Sequence, residues 1–345
     1  MFRRLMFALP FLAPAPALAN DSIAELGTGG LILSRSDVVA MEKEDLFISR
    51  DRITVDYVFR NTSDKDVATI VAFPMPEITG NPYFMPAIPR AEDDNFLGFE
   101  VFVDGTTVQP ELEHRAMAVG IDISDELKAH GVPFYPFGPE TTKSLQALPQ
   151  EVADGWIDRG IIMIEEYDDG SGWKRERSPF WQLRSTYWWR TVFPTGQAVK
   201  VSHRYQPSLG GSVGLTFMDG GRLAGATYED YKRRYCMDAA FEKAVAKAVK
   251  AAPSDYPALY ENRLSYILKT GGNWAMGTIG DFTLTVDKGD ANNLISFCGS
   301  KVEKIGPTTF RMKAQDFYPE RDLDILILSH PDPEGAEASQ DGSGN

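Results

Sequence analysis

The stretch Arg52-Ile-Thr-Val-Asp-Tyr-Val-Phe-Arg60 decides the fold class. Its inward-facing residues recur at every second position and are Ile53, Val55, Tyr57 and Phe59. Successive side chains of a β-strand point to opposite faces, so this alternation predicts a half-buried strand of an antiparallel sheet. Residues 197–205 and 281–286 repeat the pattern. We therefore expect a mainly β protein, an antiparallel β-sandwich with a few short inserted helices, in the β-rich α+β class.

Turn residues suggest how some strands connect. Asn61-Thr-Ser-Asp64 precedes a second apolar segment that starts at Val67, which predicts a hairpin. Asp104-Gly105 predicts another hairpin, because this dipeptide suits a two-residue turn. Ile325 to Leu328 is apolar throughout and predicts a strand covered on both faces.

Helical patterns are few. Asp238 is a suitable N-cap for an amphipathic segment that Pro253 ends. A shorter helix is predicted over residues 124–130, and another over residues 142–147.

These elements suggest a division of the chain at a stretch with six glycines, residues 210–225. The predicted regions are a signal peptide (1–19), a sandwich-like region (20–209) with a helical and loop insert near 121–150, the glycine-rich connection (210–225), a disulfide-tied α+β region (226–329) and a disordered tail (330–345). Two arrangements of region 226–329 are open: a separate domain, or the completion of the same sandwich.

The first nineteen residues have the features of an export leader. Arg3 and Arg4 precede an apolar stretch, and Ala17-Leu-Ala19 forms a small-x-small cleavage site before Asn20. A short membrane anchor would need a longer apolar run and no cleavage site. We expect a Sec-type bacterial leader, cleavage between Ala19 and Asn20, and a periplasmic or secreted product.

Charge narrows the possible partners. The 345-residue chain has a formal charge of −14, which becomes −16 when the two leader arginines are removed. A surface this acidic repels phosphate backbones and anionic lipid, so nucleic acid is not an expected partner. No later apolar run is long enough for a transmembrane segment.

Two cysteines, Cys236 and Cys298, remain in what would be an oxidising compartment. A structural disulfide is the favoured interpretation. A redox pair usually has two residues between its cysteines, and a structural zinc site needs more ligands than these two.

Catalytic and metal-binding motifs are missing from the sequence. The four histidines are scattered, without the i, i+4 spacing of a helical zinc site. A nucleophile elbow, a phosphate-binding loop and a dinucleotide fingerprint are also absent. We expect no cofactor and no metal, and interpret His203, on the apolar face of its strand, as a core residue.

The region from Trp156 to Trp189 holds five of the six tryptophans. Alternation along residues 180–193 leaves Trp188 between Arg184 and Arg190 on the more polar face. These three residues are a candidate binding face for a sugar ring, an aryl acid or a partner's side chain. Arginines that stack over a structural tryptophan would give the same pattern.

Acidic residues next to these tryptophans leave a second function open, a carbohydrate-active or envelope-remodelling hydrolase. Such enzymes need two carboxylates beside a sugar platform. Glu165 and Glu166 are adjacent on a predicted strand and point to opposite faces, so they cannot form that pair. The loop from Asp168 to Ser171 lacks the spacing and closing glutamate of an EF-hand.

Several segments resemble a family of secreted bacterial proteins named domain of unknown function 4424. The matching segments are residues 28–36, 44–49, 55–61, 71–76, 273–274, 279–282, 286–289, 296–298, 304–307 and 322–326. The resemblance extends from about residue 21 to 329. It implies an exported bacterial protein and supplies no activity and no catalytic residues.

The sequence thus favours an exported, non-catalytic protein that binds or assembles in the bacterial cell envelope. Its expected partner is an envelope protein or a glycan. The hydrolase remains the alternative, and the oligomeric state cannot be read from the sequence.

Overall fold

A computed structural model describes residues 21–27, 30–81, 87–91, 93–252 and 258–330. Strands are numbered β1 to β23 and helices α1 to α5 in chain order. One sheet has seven strands: β1 (Ser22–Gly27), β2 (Gly30–Ser34), β5 (Val67–Pro74), β6 (Ile78–Thr79), β9 (Glu111–Ala118), β10 (Ile121–Asp122) and β13 (Gln182–Phe193). Their order is β10-β9-β13-β5-β1-β2, and β6 pairs with β13.

A second sheet has eight strands: β3 (Val39–Ile48), β4 (Ile53–Asn61), β7 (Glu100–Val103), β8 (Thr106–Val108), β14 (Ala198–Tyr205), β19 (Ile279–Asp287), β21 (Glu303–Lys304) and β22 (Thr309–Phe317). Their order is β21-β22-β19-β3-β4-β14-β7-β8. The β19–β3 pair is parallel and the other pairs are antiparallel. Strands from the C-terminal third of the chain therefore extend the sheet that residues 39–205 begin.

A four-stranded sheet has the order β15-β18-β23-β20. Its strands are β15 (Gly210–Ser212), β18 (Tyr260–Tyr266), β20 (Leu294–Phe297) and β23 (Leu323–Ser329). Two-stranded ribbons are formed by β11 (Ile162–Asp168) with β12 (Trp173–Pro179), and by β16 (Met218–Asp219) with β17 (Arg222–Leu223). The helices are α1 (Ser124–Ala129), α2 (Pro139–Gln146), α3 (Gln150–Asp158), α4 (Ala226–Arg234) and α5 (Ala239–Ala251).

The seven- and eight-stranded sheets share one hydrophobic core. Phe59 of β4 meets Phe193 of β13 with ring centroids 5.8 Å apart, and Phe73 of β5 stacks on Phe99 at 4.9 Å. The expected β-rich α+β fold with facing sheets is confirmed.

Strand β23 is covered on both faces, as its apolar run predicts. Ile325 and Ile327 belong to the main core, while Leu326 and Leu328 pack in a second cluster with Val245 of α5. Asp238 caps α5, because its carboxylate accepts a hydrogen bond from the Phe241 backbone N–H at 2.7 Å.

The predicted hairpin at residues 61–64 is wrong. Strand β4 pairs with β3 and β14, whereas β5 pairs with β1 and β13 in the opposite sheet. The buried Asn61 side chain donates to the carbonyls of Lys65 and Phe193, and so holds the crossing from one sheet to the other. The Asp104-Gly105 hairpin is confirmed, since β7 and β8 pair around it.

Some predicted elements differ from the observed ones, and other predicted segments lie outside the residues that the structure describes. Helices α3 and α4 have no counterpart among the predicted helices, and residues 210–225 contain three short strands. The leader, with Ala19 and Asn20, and residues 331–345 lie outside the described residues. Within the described ranges, no helix combines the length and apolarity needed to cross a membrane.

Candidate functional site

Strand β13 presents the predicted face. Its residues alternate so that Trp189 and its inward neighbours are buried in the core, while Arg184, Trp188 and Arg190 lie on the outer face of the seven-stranded sheet. Trp188 is flanked across the sheet by Ala72 of β5 and Glu111 of β9. The arrangement follows from strand geometry, in which residues i and i+2 share a face.

Trp188 is partly covered by the chain itself. It packs with Leu31 and Leu33 of β2 over a small cluster that contains Ala72. The Leu31 backbone N–H donates to Glu113 Oε2 at 3.3 Å, although Glu113 lies on β9, far from β2 in the strand order. The β1–β2 hairpin therefore bends over the outer face of the sheet.

The two arginines differ in their surroundings. Arg184 Nε donates to Glu77 Oε1 at 2.5 Å, so its guanidinium group is held by an ion pair. Arg190 is exposed, and in the described part of the chain it forms no ion pair. Arg190 is consequently the cation of this face that is available to a ligand.

A cleft opens beside Arg190 where two strands separate. β1 pairs with β5 only from Ser22 to Ala24, and beyond that point the strands diverge. The cleft between them has a volume of about 540 Å³. Its lining includes Glu25 and Leu26 of β1, Ala68 and Thr69 of β5, and Arg190 and Val192 of β13.

The cleft offers both apolar surface and an open strand edge. Leu26 is 54% exposed and Val192 is 50% exposed, which is high for aliphatic side chains. On the edge of β5 that faces the cleft, residues 67–69 have no strand partner within the described ranges. An open edge with apolar walls is suited to pairing with another extended chain.

The acidic residues of the alternative function lie on the β11–β12 ribbon. Glu165 accepts from Ser178 Oγ at 3.1 Å, and Glu166 forms an ion pair with Arg175 at 3.5 Å on the other face. The two carboxylates point to opposite faces of the ribbon, in agreement with the prediction from the sequence. Trp173, at the end of this ribbon, is 79% exposed.

One histidine contacts a hydroxyl group. His114 Nδ1 lies 2.8 Å from Ser185 Oγ, and burial lowers the pKa of His114, which favours its neutral form. Ser185 is only 2% exposed and faces the sandwich interior. The pair therefore links β9 to β13 and does not present a nucleophile to solvent.

His203 is a buried core residue, as expected, and its Nε2 lies 2.9 Å from Asp21 Oδ1. Cys236 and Cys298 form the disulfide that the sequence predicts, with their sulfurs 2.05 Å apart. Among the residues that the structure describes, no group of three or more histidine, cysteine, aspartate or glutamate side chains is placed to hold a metal ion.

Comparison with known proteins identifies the family. The family model described as domain of unknown function (DUF4424) matches residues 19–326. The chain belongs to this DUF4424 family. No curated protein matches the sequence. The crystal structure of a Legionella pneumophila protein described as a putative nutrient binding protein aligns with this DUF4424 chain at a TM-score of 0.40 and 14% sequence identity. The alignment covers 91% of this chain and 70% of the Legionella protein.

The cleft was not predicted from the sequence, although one signal was available. Val192 continues the outward series that contains Trp188 and Arg190, and it is an apolar residue on the more polar face. Leu26 carried no comparable signal, because the point at which β1 leaves β5 depends on tertiary structure.

Proposed function

We propose that this DUF4424 protein is an exported, non-catalytic binding protein of the bacterial cell envelope. In this proposal the leader is removed between Ala19 and Asn20, and the product acts in the periplasm or outside the cell. The cleft between β1 and β5 binds an extended segment of a partner protein. The observation that carries the proposal is the separation of these strands after Ala24.

The cleft supplies the contacts that an extended segment requires. The open edge at residues 67–69 can exchange backbone hydrogen bonds with a bound strand. Leu26 and Val192 can contact an apolar side chain of that strand. Arg190 can pair with an acidic side chain next to it.

Trp188 and Arg184 support this site from the adjoining part of the face. Trp188 packs against the hairpin that forms one wall of the cleft, and Arg184 is fixed by Glu77. The three residues of the predicted binding face thus have different roles, with Arg190 in contact with the partner and Trp188 holding the hairpin in position.

Location in the envelope is supported by three features. They are the leader-like residues 1–19, the disulfide, and the acidic charge, which disfavours nucleic acid as a partner. No cofactor is needed for strand pairing.

The proposal is tested by recovering the partner from envelope extracts with the tagged protein. Arg190→Glu should reduce recovery at least about tenfold, because it places an acid where the partner's acid binds. Arg222→Glu makes the same charge change at an exposed position on the β16–β17 ribbon and should have no effect. Equal recovery with both variants would exclude the cleft as the binding site.

A further inference from the structure

A cavity lies where two of the sheets meet. It is placed between β19 and β22 of the eight-stranded sheet and the segment that leads into β23 of the four-stranded sheet, and its volume is about 230 Å³. Its inner walls are apolar and include Phe282, Leu284, Met312, Phe317 and Leu323. Phe282 and Phe317 stack with their ring centroids 4.4 Å apart. Because protein interiors are close-packed, an apolar cavity of this size is suited to a small ligand.

The charged residues that line the cavity differ in whether the protein already pairs them. Asp322 is used internally, because it pairs with Lys269 Nζ at 3.7 Å and accepts from the Leu268 backbone N–H at 3.1 Å. Glu320 and Arg321 are exposed and therefore lie at the mouth of the cavity. Within the described ranges, neither forms an ion pair with the other or with any further residue. The mouth thus presents one anion and one cation to a ligand.

The mouth is held in place by the end of α4. Arg321 Nη2 donates to the Arg234 carbonyl at 2.9 Å. Cys298, another lining residue, is bonded to Cys236, which lies two residues after Arg234. These two links attach opposite parts of the opening to one point of the chain. A site that is already assembled loses less conformational freedom when it binds a ligand.

Backbone conformations around the cavity are unusual. Six described residues other than glycine have a left-handed backbone, and three of them adjoin a lining residue or are bonded to one. They are Cys236 (φ 53°), Lys301 (φ 51°) and Asp316 (φ 49°). Such conformations are costly for residues with a side chain, and they concentrate at functional sites such as ligand clamps.

We propose that this cavity binds a free α-amino acid with an apolar side chain, of the size of leucine or methionine. The apolar side chain occupies the space between Phe282 and Leu323. The α-carboxylate pairs with the Arg321 guanidinium group, and the α-ammonium group pairs with the Glu320 carboxylate. The cavity lies on other strands than the partner cleft, so the inference extends beyond strand binding and does not depend on it.

The two charges at the mouth select a free amino acid over a peptide terminus. A free amino acid carries its ammonium and carboxylate groups on one carbon atom, and the Cα atoms of Glu320 and Arg321 are about 3.8 Å apart. A peptide supplies only one of the two charges at either of its ends. A charged side chain is excluded from the interior, because it would lose its water without gaining a partner.

The test is isothermal titration calorimetry of the purified protein with L-leucine, N-acetyl-L-leucine and L-leucinamide. N-acetyl-L-leucine lacks the cation, and L-leucinamide lacks the anion. We expect saturable binding of one L-leucine per chain, with each blocked compound binding at least about tenfold more weakly. L-Aspartate and L-lysine should not bind.

Variants at the mouth assign each charge to its partner. Arg321→Gln should weaken L-leucine binding about tenfold and leave the affinity for L-leucinamide unchanged, because that compound has no carboxylate. Glu320→Gln should weaken L-leucine binding to a similar extent and leave N-acetyl-L-leucine unaffected. Lys313→Gln removes an exposed cation from β22, outside the cavity, and should change none of the three affinities.

Three results would overturn the proposal. The first is no saturable binding of L-leucine, L-methionine or L-phenylalanine up to about 10 mM. The second is tighter binding of a blocked compound than of L-leucine, which would assign the cavity to a peptide terminus. The third is an equal loss of affinity for all three compounds in Arg321→Gln, because that pattern indicates damage to the cavity and not the loss of a carboxylate contact.

Discussion

Removal of the disulfide should reduce the stability of the protein by a calculable amount. Cys236 follows α4, and Cys298 follows β20 of the four-stranded sheet, 62 residues later in the sequence. Closing a loop of this length restricts the unfolded chain by about 4 kcal/mol at 25 °C in the loop-entropy model. We therefore expect the Cys236→Ser/Cys298→Ser variant to lose about 4 kcal/mol of unfolding free energy.

The assay is equilibrium unfolding in urea at pH 7, followed by tryptophan fluorescence. The denaturant dependence should become steeper in the variant, because its unfolded chain exposes more surface. Wild-type protein that has been reduced and alkylated is the control and should show the same loss. A loss below about 1 kcal/mol in both would refute the reasoning, as would two free thiols in the intact mass of the native, unreduced protein.

Three further predictions concern single positions. Glu126 accepts hydrogen bonds from Arg159 and from Trp156 Nε1, and these bonds lower the pKa of its carboxyl group from the ordinary value of 4.5. Its contribution to stability is therefore present above about pH 4.5 and is lost as the pH falls through the lowered pKa, so Glu126→Gln should cost about 1 kcal/mol at pH 7 and progressively less below pH 4.5 in urea titrations. Gly280→Ala should reduce the unfolding free energy by about 1–3 kcal/mol, because the new Cβ would lie 2.7 Å from the Glu42 carbonyl oxygen. Gly211→Ala should reduce it by less than about 1 kcal/mol, because the nearest atom to its new Cβ would be the Glu261 carbonyl oxygen at 3.6 Å. Trp188→Ala should make the β1–β2 hairpin more sensitive to proteolysis, and Trp173→Ala, at an exposed site, should not.

The period-two pattern predicted which faces are buried, and not which strands are neighbours. The alternation of residues 52–60 and 180–193 corresponds to the burial of β4 and β13. The same pattern is satisfied whether β4 and β5 lie in one sheet or in two facing sheets, because both arrangements bury one face. Asn61 decides between them through its contacts with Phe193, which is 132 residues away.

Two buried polar features had no local signal in the sequence: the contact between Asp21 and His203, and the inward position of Glu44. Asp21 and His203 are 182 residues apart, and the inward position of Glu44 results from a bulge that breaks the regular alternation. A polar residue at an alternating position is typical of the solvent face, so the sequence pattern gives no indication that Glu44 is buried. Contacts of this kind depend on the assembled fold.

The central claim is that the cleft between β1 and β5 binds a partner in the envelope. The most direct measurement is photo-crosslinking in living cells from a reactive amino acid at position 192, with mass spectrometry of the captured proteins. A reactive amino acid in place of Val213, which is 84% exposed elsewhere on the protein, is the matched control. The account predicts one dominant partner captured from position 192 and not from position 213; capture no greater from position 192 than from position 213 would contradict it.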